Sequence, residues 1–136
     1  KKDNFNYYKN SSIITPNEKE LQKCSSTEIK NENDVIEACK NIILKHNINY
    51  VVAKRGKNGM IIVGKDNFVE IIKAHKVINP DVTGAGDTVI ATLSLSYSKT
   101  KDIALSAKLA NYAASIAVSK LGTANININD LNNYIH

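Results

Sequence analysis

The chain has 136 residues, of which 43% are hydrophobic and 23% are charged, and these proportions are ordinary for a globular protein. Its formal net charge at pH 7 is +5. No apolar run approaches the roughly 20 residues that a membrane-spanning helix needs, and there is no basic-then-apolar leader, so we expect a cytoplasmic protein with no membrane partner.

The distribution of basic residues, cysteines and histidines further restricts the class of protein and the kind of ligand that we expect. Lysines are spread along the chain, there is no tryptophan, and arginines do not cluster, so we expect no nucleic-acid partner. Anionic small molecules such as nucleotides suit the mildly basic charge. Cys24 and Cys39 lack metal-type spacing, and we interpret both as reduced, buried thiols. His46, His75 and His136 are scattered and predict no metal cluster.

The first elements are a strand and a short helix. Residues 1–10 are polar, and we expect a loop or a frayed end there. Residues 12–15 predict a short strand, which Pro16 ends. Asn17 is then placed to cap a helix over residues 18–25.

A longer helix and a buried strand follow a linker at residues 26–32. Asn33 or Asp34 is the predicted cap of a helix that runs to about His46, with Asn47 as its end. Apolar residues at spacings of three and four define one face of this helix: Val35, Cys39 and Ile42. Residues 48–53 are rich in β-branched side chains and predict a buried strand.

The alternation of helix and strand indicates an α/β domain. Residues 54–59 predict a turn. Two further strands, over residues 60–63 and 68–72, are joined by a hairpin signal at residues 64–67.

The segment Asp81-Val82-Thr83-Gly84-Ala85-Gly86-Asp87 organises the rest of the chain. Its two glycines permit close approach of a ligand to the backbone, and the first turn of the following helix has unpaired N–H groups that favour an anion. A carboxylate beside a phosphate site is useful if it accepts the proton of a hydroxyl that attacks phosphorus. Alternatively, the segment is a glycine-rich turn in which Asp87 merely favours the helix N-terminus.

Two helices complete the pattern. The first covers residues 88–97, with Ile90, Leu93 and Tyr97 on one face. The second starts at Asp102, has two apolar faces that predict burial on two sides, and ends at Gly122.

Four segments together resemble the ribokinase/PfkB family of small-molecule kinases. They are the signature at residues 81–88, Asn17-x-x-Glu20 after a strand, the loop at residues 54–60, and the helix at residues 111–118 with 122–124 beyond it. The resemblance implies a ribokinase-like, three-layer α/β/α sandwich that is incomplete. It also implies ATP as phosphoryl donor and Mg²⁺ as cofactor.

The resemblance assigns roles at the phosphoryl-transfer site. Asp87 becomes the catalytic base, and Gly84, Ala85 and Gly86 provide backbone N–H groups where charge develops on phosphoryl oxygens. Glu20, with Asn17, would act on the Mg²⁺–phosphate cluster through water. The alternative is that Asn17 only caps a helix and Glu20 is only an acid in its first turn.

The remaining roles concern the nucleotide and a monovalent cation. Lys54, Gly56 and Gly59 match the nucleotide loop, although many relatives have Thr where this chain has Lys54. Asn111 is polar within an apolar helix, so it binds either an adenine or ribose edge or a neighbouring loop. Asp81 and Thr83 match positions that surround a monovalent cation, K⁺, in some relatives.

The resemblance covers only the C-terminal, nucleotide-binding half of the family's domain, so we assign residues 1–136 to that half. We expect a piece of a longer kinase, or one product of a split gene, and a homodimer of the full-length protein. Residues 89–91 and 118–124 resemble kinases of heptose 7-phosphate, which implies the reaction to heptose 1,7-bisphosphate in lipopolysaccharide-core precursor synthesis. The alternatives are another sugar or nucleoside kinase of the family, or a nucleotide-binding fragment that does not catalyse.

Overall fold

The computed structural model describes residues 4–75 and 84–119; residues 1–3, 76–83 and 120–136 lie outside this description. The chain divides into two compact units, one ending at Ile71 and the other beginning at Ile72. In the described residues, helices that are both long and apolar enough to cross a membrane are absent.

The first unit opens with a short 3-10 helix, Phe5–Tyr8. Phe5 is buried, and its ring meets Tyr8 and His46 edge-on, with ring centroids 6.1 and 6.5 Å away. The prediction of a loop or frayed end is therefore wrong for this part of the chain. A single aromatic side chain anchors an otherwise polar segment to the hydrophobic core.

A four-stranded mixed sheet carries the first unit, with the strands in chain order across it. Strand β1 is parallel to β2, and β2 is antiparallel to β3. The sequence correctly predicts all four strands, which are β1 (Ile13–Ile14), β2 (Tyr50–Lys54), β3 (Met60–Gly64) and β4 (Val69–Ile72). Helix α1 (Glu18–Ser25) follows β1, and helix α2 (Glu32–His46) precedes β2.

The start of α2 differs from the prediction. Asn31 is the cap, because its side chain accepts hydrogen bonds from the backbone N–H groups of Asn33 and Asp34. The Asp34 carboxylate accepts in return from the N–H of Asn31 at 3.0 Å. This reciprocal pairing satisfies the end of the helix better than a cap at Asn33 or Asp34 would. The helix ends at Asn47 as predicted, in a left-handed conformation with φ of 53°.

Helix α2 packs against β2 and β3 through its predicted apolar face, and Val35, Cys39 and Ile42 are all buried. Burial in this apolar environment raises the pKa of the Cys39 thiol to about 12. Neither Cys24 nor Cys39 forms a disulfide, but Cys24 is only half-buried, so the prediction of two buried thiols is wrong for Cys24.

Strands β2 and β3 meet closely where Tyr50 lies opposite Gly64. A Cβ atom on Gly64 would lie 2.9 Å from the Tyr50 ring, so a larger residue would displace that ring. Glycine at this position therefore allows the strands to pair under an aromatic side chain.

The second unit contains helices α3 (Ala85–Thr100) and α4 (Ile103–Ser119), which pack against each other. The buried side chains of α3 are Val89 and Leu93, whereas Ile90 is exposed. The prediction that Ile90 lies on the buried face is therefore wrong. The buried residue is its neighbour Val89, which lies four positions, about one helical turn, before Leu93. Asp102 starts α4 as predicted, accepting a hydrogen bond from the Leu105 N–H at 3.0 Å. Gly122 lies outside the described residues.

His46 predicts a pH-dependent stability. Burial, followed by the nearby charges of Lys45 and Lys9, lowers the pKa of His46 below its ordinary value of 6.5. The unfolded chain then takes up a proton before the folded chain does. Stability should therefore be full above pH 6.5, fall as the pH drops below it, and level off beneath the folded-state pKa.

The measurement is the free energy of unfolding in urea across this pH range, with His46→Gln as the comparison. The variant should lose less stability on acidification than the wild type. Equal pH dependence in both proteins would contradict the assignment to His46.

Candidate active site

The N-terminus of α3 carries the residues that the sequence singles out. Gly84 is the N-cap, with φ of 76° and ψ of −4°, and as a glycine it has no side chain with which to cap the helix. A Cβ atom on Gly84 would meet nothing within 4 Å, so the left-handed backbone, and not space, favours glycine there. The first-turn N–H groups of this 16-residue helix lack partners within the helix and need acceptors from outside it.

The helix begins at Ala85, ahead of the predicted start at Thr88. Ala85, Gly86 and Asp87 are therefore the first helical turn, and the Thr88 N–H already donates to the Gly84 carbonyl at 3.0 Å. N–H groups of the first turn point along the helix axis at the positive end of its dipole, so the anion site predicted here would be formed by residues 85–87 and remains a prediction.

Asp87 is exposed in that first turn. The helix dipole stabilises a carboxylate there by about 0.3–1 kcal/mol, so the structural explanation of Asp87 holds. The same placement leaves a proton acceptor open to solvent beside an anion-favouring helix end. The role of Asp87 as catalytic base is compatible with this geometry and remains a prediction.

Asn17 and Glu20 form a reciprocal cap on α1 in the first unit. The Asn17 side-chain oxygen accepts from the Glu20 N–H at 2.8 Å, and the Glu20 carboxylate accepts from the Asn17 N–H at 2.8 Å. The structure thus confirms that Asn17 caps α1 and that Glu20 lies in its first turn, and it leaves their role towards Mg²⁺ a prediction. The cap by itself does not conflict with a water-mediated role of Glu20 towards Mg²⁺.

The predicted nucleotide loop is a tight turn after β2. Lys54 ends the strand, and its N–H donates to the Pro16 carbonyl at 2.8 Å, next to the cap of α1. A 3-10 helix, Gly56–Asn58, follows and closes at Gly59. Gly56 and Gly59 have φ of 54° and 86°, values that other residues adopt at a cost.

Arg55 lies at the start of the predicted nucleotide loop, and the sequence did not predict its ion pairs. Its Nε donates to Glu18 Oε1 and its Nη1 to Glu32 Oε1, each at 2.7 Å, and the side chain is only 9% exposed. Burial alone would lower the pKa of Arg55, but the hydrogen bonds to both carboxylates raise it overall. Composition held one signal, because Arg55 is the single arginine among 18 Lys and Arg residues.

Asn111 lies in the second unit and is 6% exposed. Its Nδ2 donates to the Lys73 carbonyl at 2.9 Å, so the neighbouring-loop alternative is the one observed. Beside it, the His75 and Tyr112 rings stack with centroids 4.2 Å apart. A contact between Asn111 and an adenine or ribose edge stays a prediction.

The other predicted residues divide between the two units. Asn17 and Lys54 pair in an isolated bridge of the first unit, which brings the cap of α1 beside the loop. Asp81 and Thr83, the predicted cation-site residues, lie outside the described residues, as do residues 122–124. Across residues 4–75 and 84–119, no group of three or more His, Cys, Asp or Glu side chains could hold a metal ion.

Comparisons with known proteins agree with the resemblance. The model of the pfkB family carbohydrate kinases matches residues 6–130. Bifunctional protein HldE of Rhodospirillum rubrum is 36% identical over 97% of the chain, and that of Campylobacter curvus is 35% identical over 96%. The chain spans only 27% and 28% of these two relatives.

Solved structures show the same fold. Ribokinase from Thermotoga maritima is similar with a TM-score of 0.79 and 24% identity, over 91% of this chain and 42% of that one. Phosphofructokinase-2 from Escherichia coli, in complex with substrates and products, has a TM-score of 0.84 and 22% identity, over 94% of this chain and 41% of that one. The chain therefore has a ribokinase-like α/β fold and spans part of that fold.

The bond between Asn111 and Lys73 predicts the effect of Asn111→Leu. Removing the amide leaves the Lys73 carbonyl without this donor, so we expect a loss of about 1–3 kcal/mol in the free energy of unfolding. Urea denaturation measures the change. Ser115→Ala is the control on the same helix, since the Ser115 hydroxyl donates to the Tyr112 carbonyl of α4 itself and its loss should cost less. Equal stability of Asn111→Leu and the wild type would contradict the prediction.

Proposed function

The chain belongs to the pfkB family of carbohydrate kinases, and from this we propose that it acts in the ATP-dependent phosphorylation of a sugar phosphate hydroxyl. In this proposal residues 1–136 form the C-terminal, nucleotide-binding half of the kinase domain. The relatives' greater length supports the division, because this chain spans about a quarter of each.

The observation that carries the proposal is the N-terminus of α3. A left-handed glycine, Gly84, is the N-cap of this helix, and Ala85, Gly86 and Asp87 form its first turn. In the proposed reaction, the N–H groups of this turn stabilise negative charge on the transferred phosphoryl group. Asp87 accepts the proton of the attacking sugar hydroxyl.

The nucleotide loop and the cap of α1 supply the other proposed contacts. Gly56 and Gly59 would bring backbone close to the nucleotide, with Lys54 at the start of the loop. Glu20 would hold water molecules of a Mg²⁺ ion, which neutralises phosphate charge when bound. Asn111 would approach the adenine or ribose without giving up its bond to the Lys73 carbonyl, because an amide has a second donor and an acceptor.

The substrate we propose is heptose 7-phosphate, converted to heptose 1,7-bisphosphate for lipopolysaccharide-core precursor synthesis. The support is the resemblance of residues 89–91 and 118–124 to heptose phosphate kinases. The similarity to proteins named HldE agrees with the same choice within the family.

A monovalent cation is a further part of the proposal. One solved structure of phosphofructokinase-2 from Escherichia coli, 23% identical to this chain, is a complex with potassium. K⁺ near Asp81 and Thr83 would be the counterpart here. We also propose that the complete protein forms a homodimer.

A non-catalytic nucleotide-binding role is the second candidate. It rests on one observation, that the chain spans 27% of its HldE relative from Rhodospirillum rubrum. Turnover by the complete gene product distinguishes this candidate from the kinase proposal. The assay measures ADP formed from ATP with heptose 7-phosphate, ribose or fructose 6-phosphate as acceptor. Product with one acceptor would identify the substrate, whereas ATP binding without product would favour the second candidate.

Asp87→Asn tests the proposed base. The change keeps the size of the side chain and removes its basicity, so we expect kcat to fall by about 10²–10⁴-fold with nucleotide affinity retained. Asp102→Asn is the control, since Asp102 is an acidic residue at the N-terminus of the other helix of the second unit, where asparagine caps equally well. Near-normal turnover by Asp87→Asn would refute the assignment.

Glu20→Gln separates capping from metal binding. The amide oxygen of glutamine still accepts from the Asn17 N–H, so the free energy of unfolding should stay within about 0.5 kcal/mol of the wild type. The Mg²⁺ concentration for half-maximal activity should rise, because the carboxylate charge is gone. Asp34→Asn makes the same change in the cap of α2 and serves as the control. An identical Mg²⁺ requirement in both variants would show that Glu20 only caps α1.

A further inference from the structure

The single arginine of the chain, Arg55, lies next to the predicted nucleotide loop. Arg55 immediately precedes the 3-10 helix Gly56–Asn58. Its guanidinium group is largely withdrawn from solvent, with the side chain 9% exposed, and two carboxylates surround it. A buried cation of this kind is stable only if its donors are well paired.

The two carboxylates come from the first residues of two helices. Glu18 opens α1 and Glu32 opens α2. Because Nε and Nη1 of Arg55 each reach a different carboxylate at 2.7 Å, one side chain connects both helix starts to the loop. A lysine has one nitrogen on a flexible stem and could not hold both acids in this planar arrangement.

The backbone of Arg55 also closes the loop. Its N–H donates to the Gly59 carbonyl at 2.8 Å, and its carbonyl accepts from the Asn58 N–H at 3.0 Å. The loop itself is short and contains Gly56 and Gly59 in left-handed conformations, so ordering it is entropically costly. The ion pairs of Arg55 offset that cost from outside the loop.

Glu18 and Glu20 lie in the same turn of α1 and bond to different partners. Glu20 completes the cap with Asn17, whereas Glu18 holds Arg55. The loop and the cap are thereby fixed to the same end of the same helix. We propose that Arg55 is a positioning residue, which holds the Gly56–Gly59 loop against the Asn17–Glu20 cap of α1 so that the loop is ordered before nucleotide binds.

This inference rests on the proposed nucleotide-binding function and names a determinant of nucleotide affinity within it. Arg55 bonds to two carboxylates, so its role is to hold the loop and not to neutralise phosphate. Without the ion pairs, the loop becomes ordered only when nucleotide binds. The entropy lost on ordering then lowers the affinity for nucleotide. The chemical step depends on Asp87 and should change little once nucleotide is bound.

The test uses the complete gene product with Arg55→Lys, Glu32→Gln and Glu37→Gln. Glu37 lies on α2 like Glu32 but pairs with Lys40 on the surface at 2.9 Å, so its variant is the matched control. Calorimetry gives the Kd for Mg·ATP, steady-state kinetics gives KM for ATP, KM for the sugar and kcat, and thermal unfolding gives Tm.

Arg55→Lys should raise Kd and KM for ATP about tenfold, with kcat changed less than about threefold and KM for the sugar unchanged. Glu32→Gln should shift the same constants by a smaller factor, and because Glu32 is half exposed this variant should fold even if Arg55→Lys does not. Glu37→Gln should match the wild type.

A lower Tm with an unchanged Kd for Mg·ATP in the folded variants would overturn the inference, since it would show a structural role only. Absence of Mg·ATP binding by the wild type would overturn it together with the proposed nucleotide site. If the wild type binds Mg·ATP but phosphorylates no sugar, the kinase proposal fails, and the Kd values of the variants still decide the role of Arg55.

Discussion

The ion pairs of Arg55 fix the arrangement on which the first unit's candidate site depends. One guanidinium group connects the starts of α1 and α2 to the turn after β2. Desolvating a cation is costly, and two hydrogen bonds of 2.7 Å to partly exposed carboxylates offset that cost. The Asn17–Glu20 cap and the bond from the Lys54 N–H to the Pro16 carbonyl then place the helix end and the loop side by side. Side chains that carry no expected catalytic role thus determine where the expected ligand-binding backbone lies.

The candidate site of the second unit depends on backbone conformation. A left-handed Gly84, which has no side chain for capping, begins α3, so the first-turn N–H groups need acceptors from outside the helix. Phosphoryl transfer needs this kind of fixed donor together with one proton acceptor, and Asp87 is placed in the same turn. The family relationship and the local chemistry therefore support the same proposal independently.

Much of this was predictable from sequence, and the failures have physical causes. The periodicity of apolar residues predicted the strands and helices. The four motifs predicted the family, because each motif depends on local residue chemistry. The cap at Asn31 was missed because several cap-forming residues adjoin, and only the reciprocal bond with Asp34 selects one. Phe5 and Arg55 were missed because their partners are distant in sequence: His46 lies 41 positions from Phe5, and Glu18 lies 37 from Arg55. The role of Asn111 stayed open because a pattern shows that a buried amide needs partners without showing which.

The central claim is that a backbone segment of each unit takes part in nucleotide binding, Gly56–Gly59 in the first unit and Ala85–Asp87 in the second. Hydrogen–deuterium exchange of the complete gene product with and without Mg·ATP tests it most directly, because exchange reports on backbone N–H groups themselves. The account predicts slower exchange in both segments when Mg·ATP is present, with no comparable change in the capped first turn of α2, which begins at Glu32. Unchanged exchange in both segments under saturating Mg·ATP would contradict it.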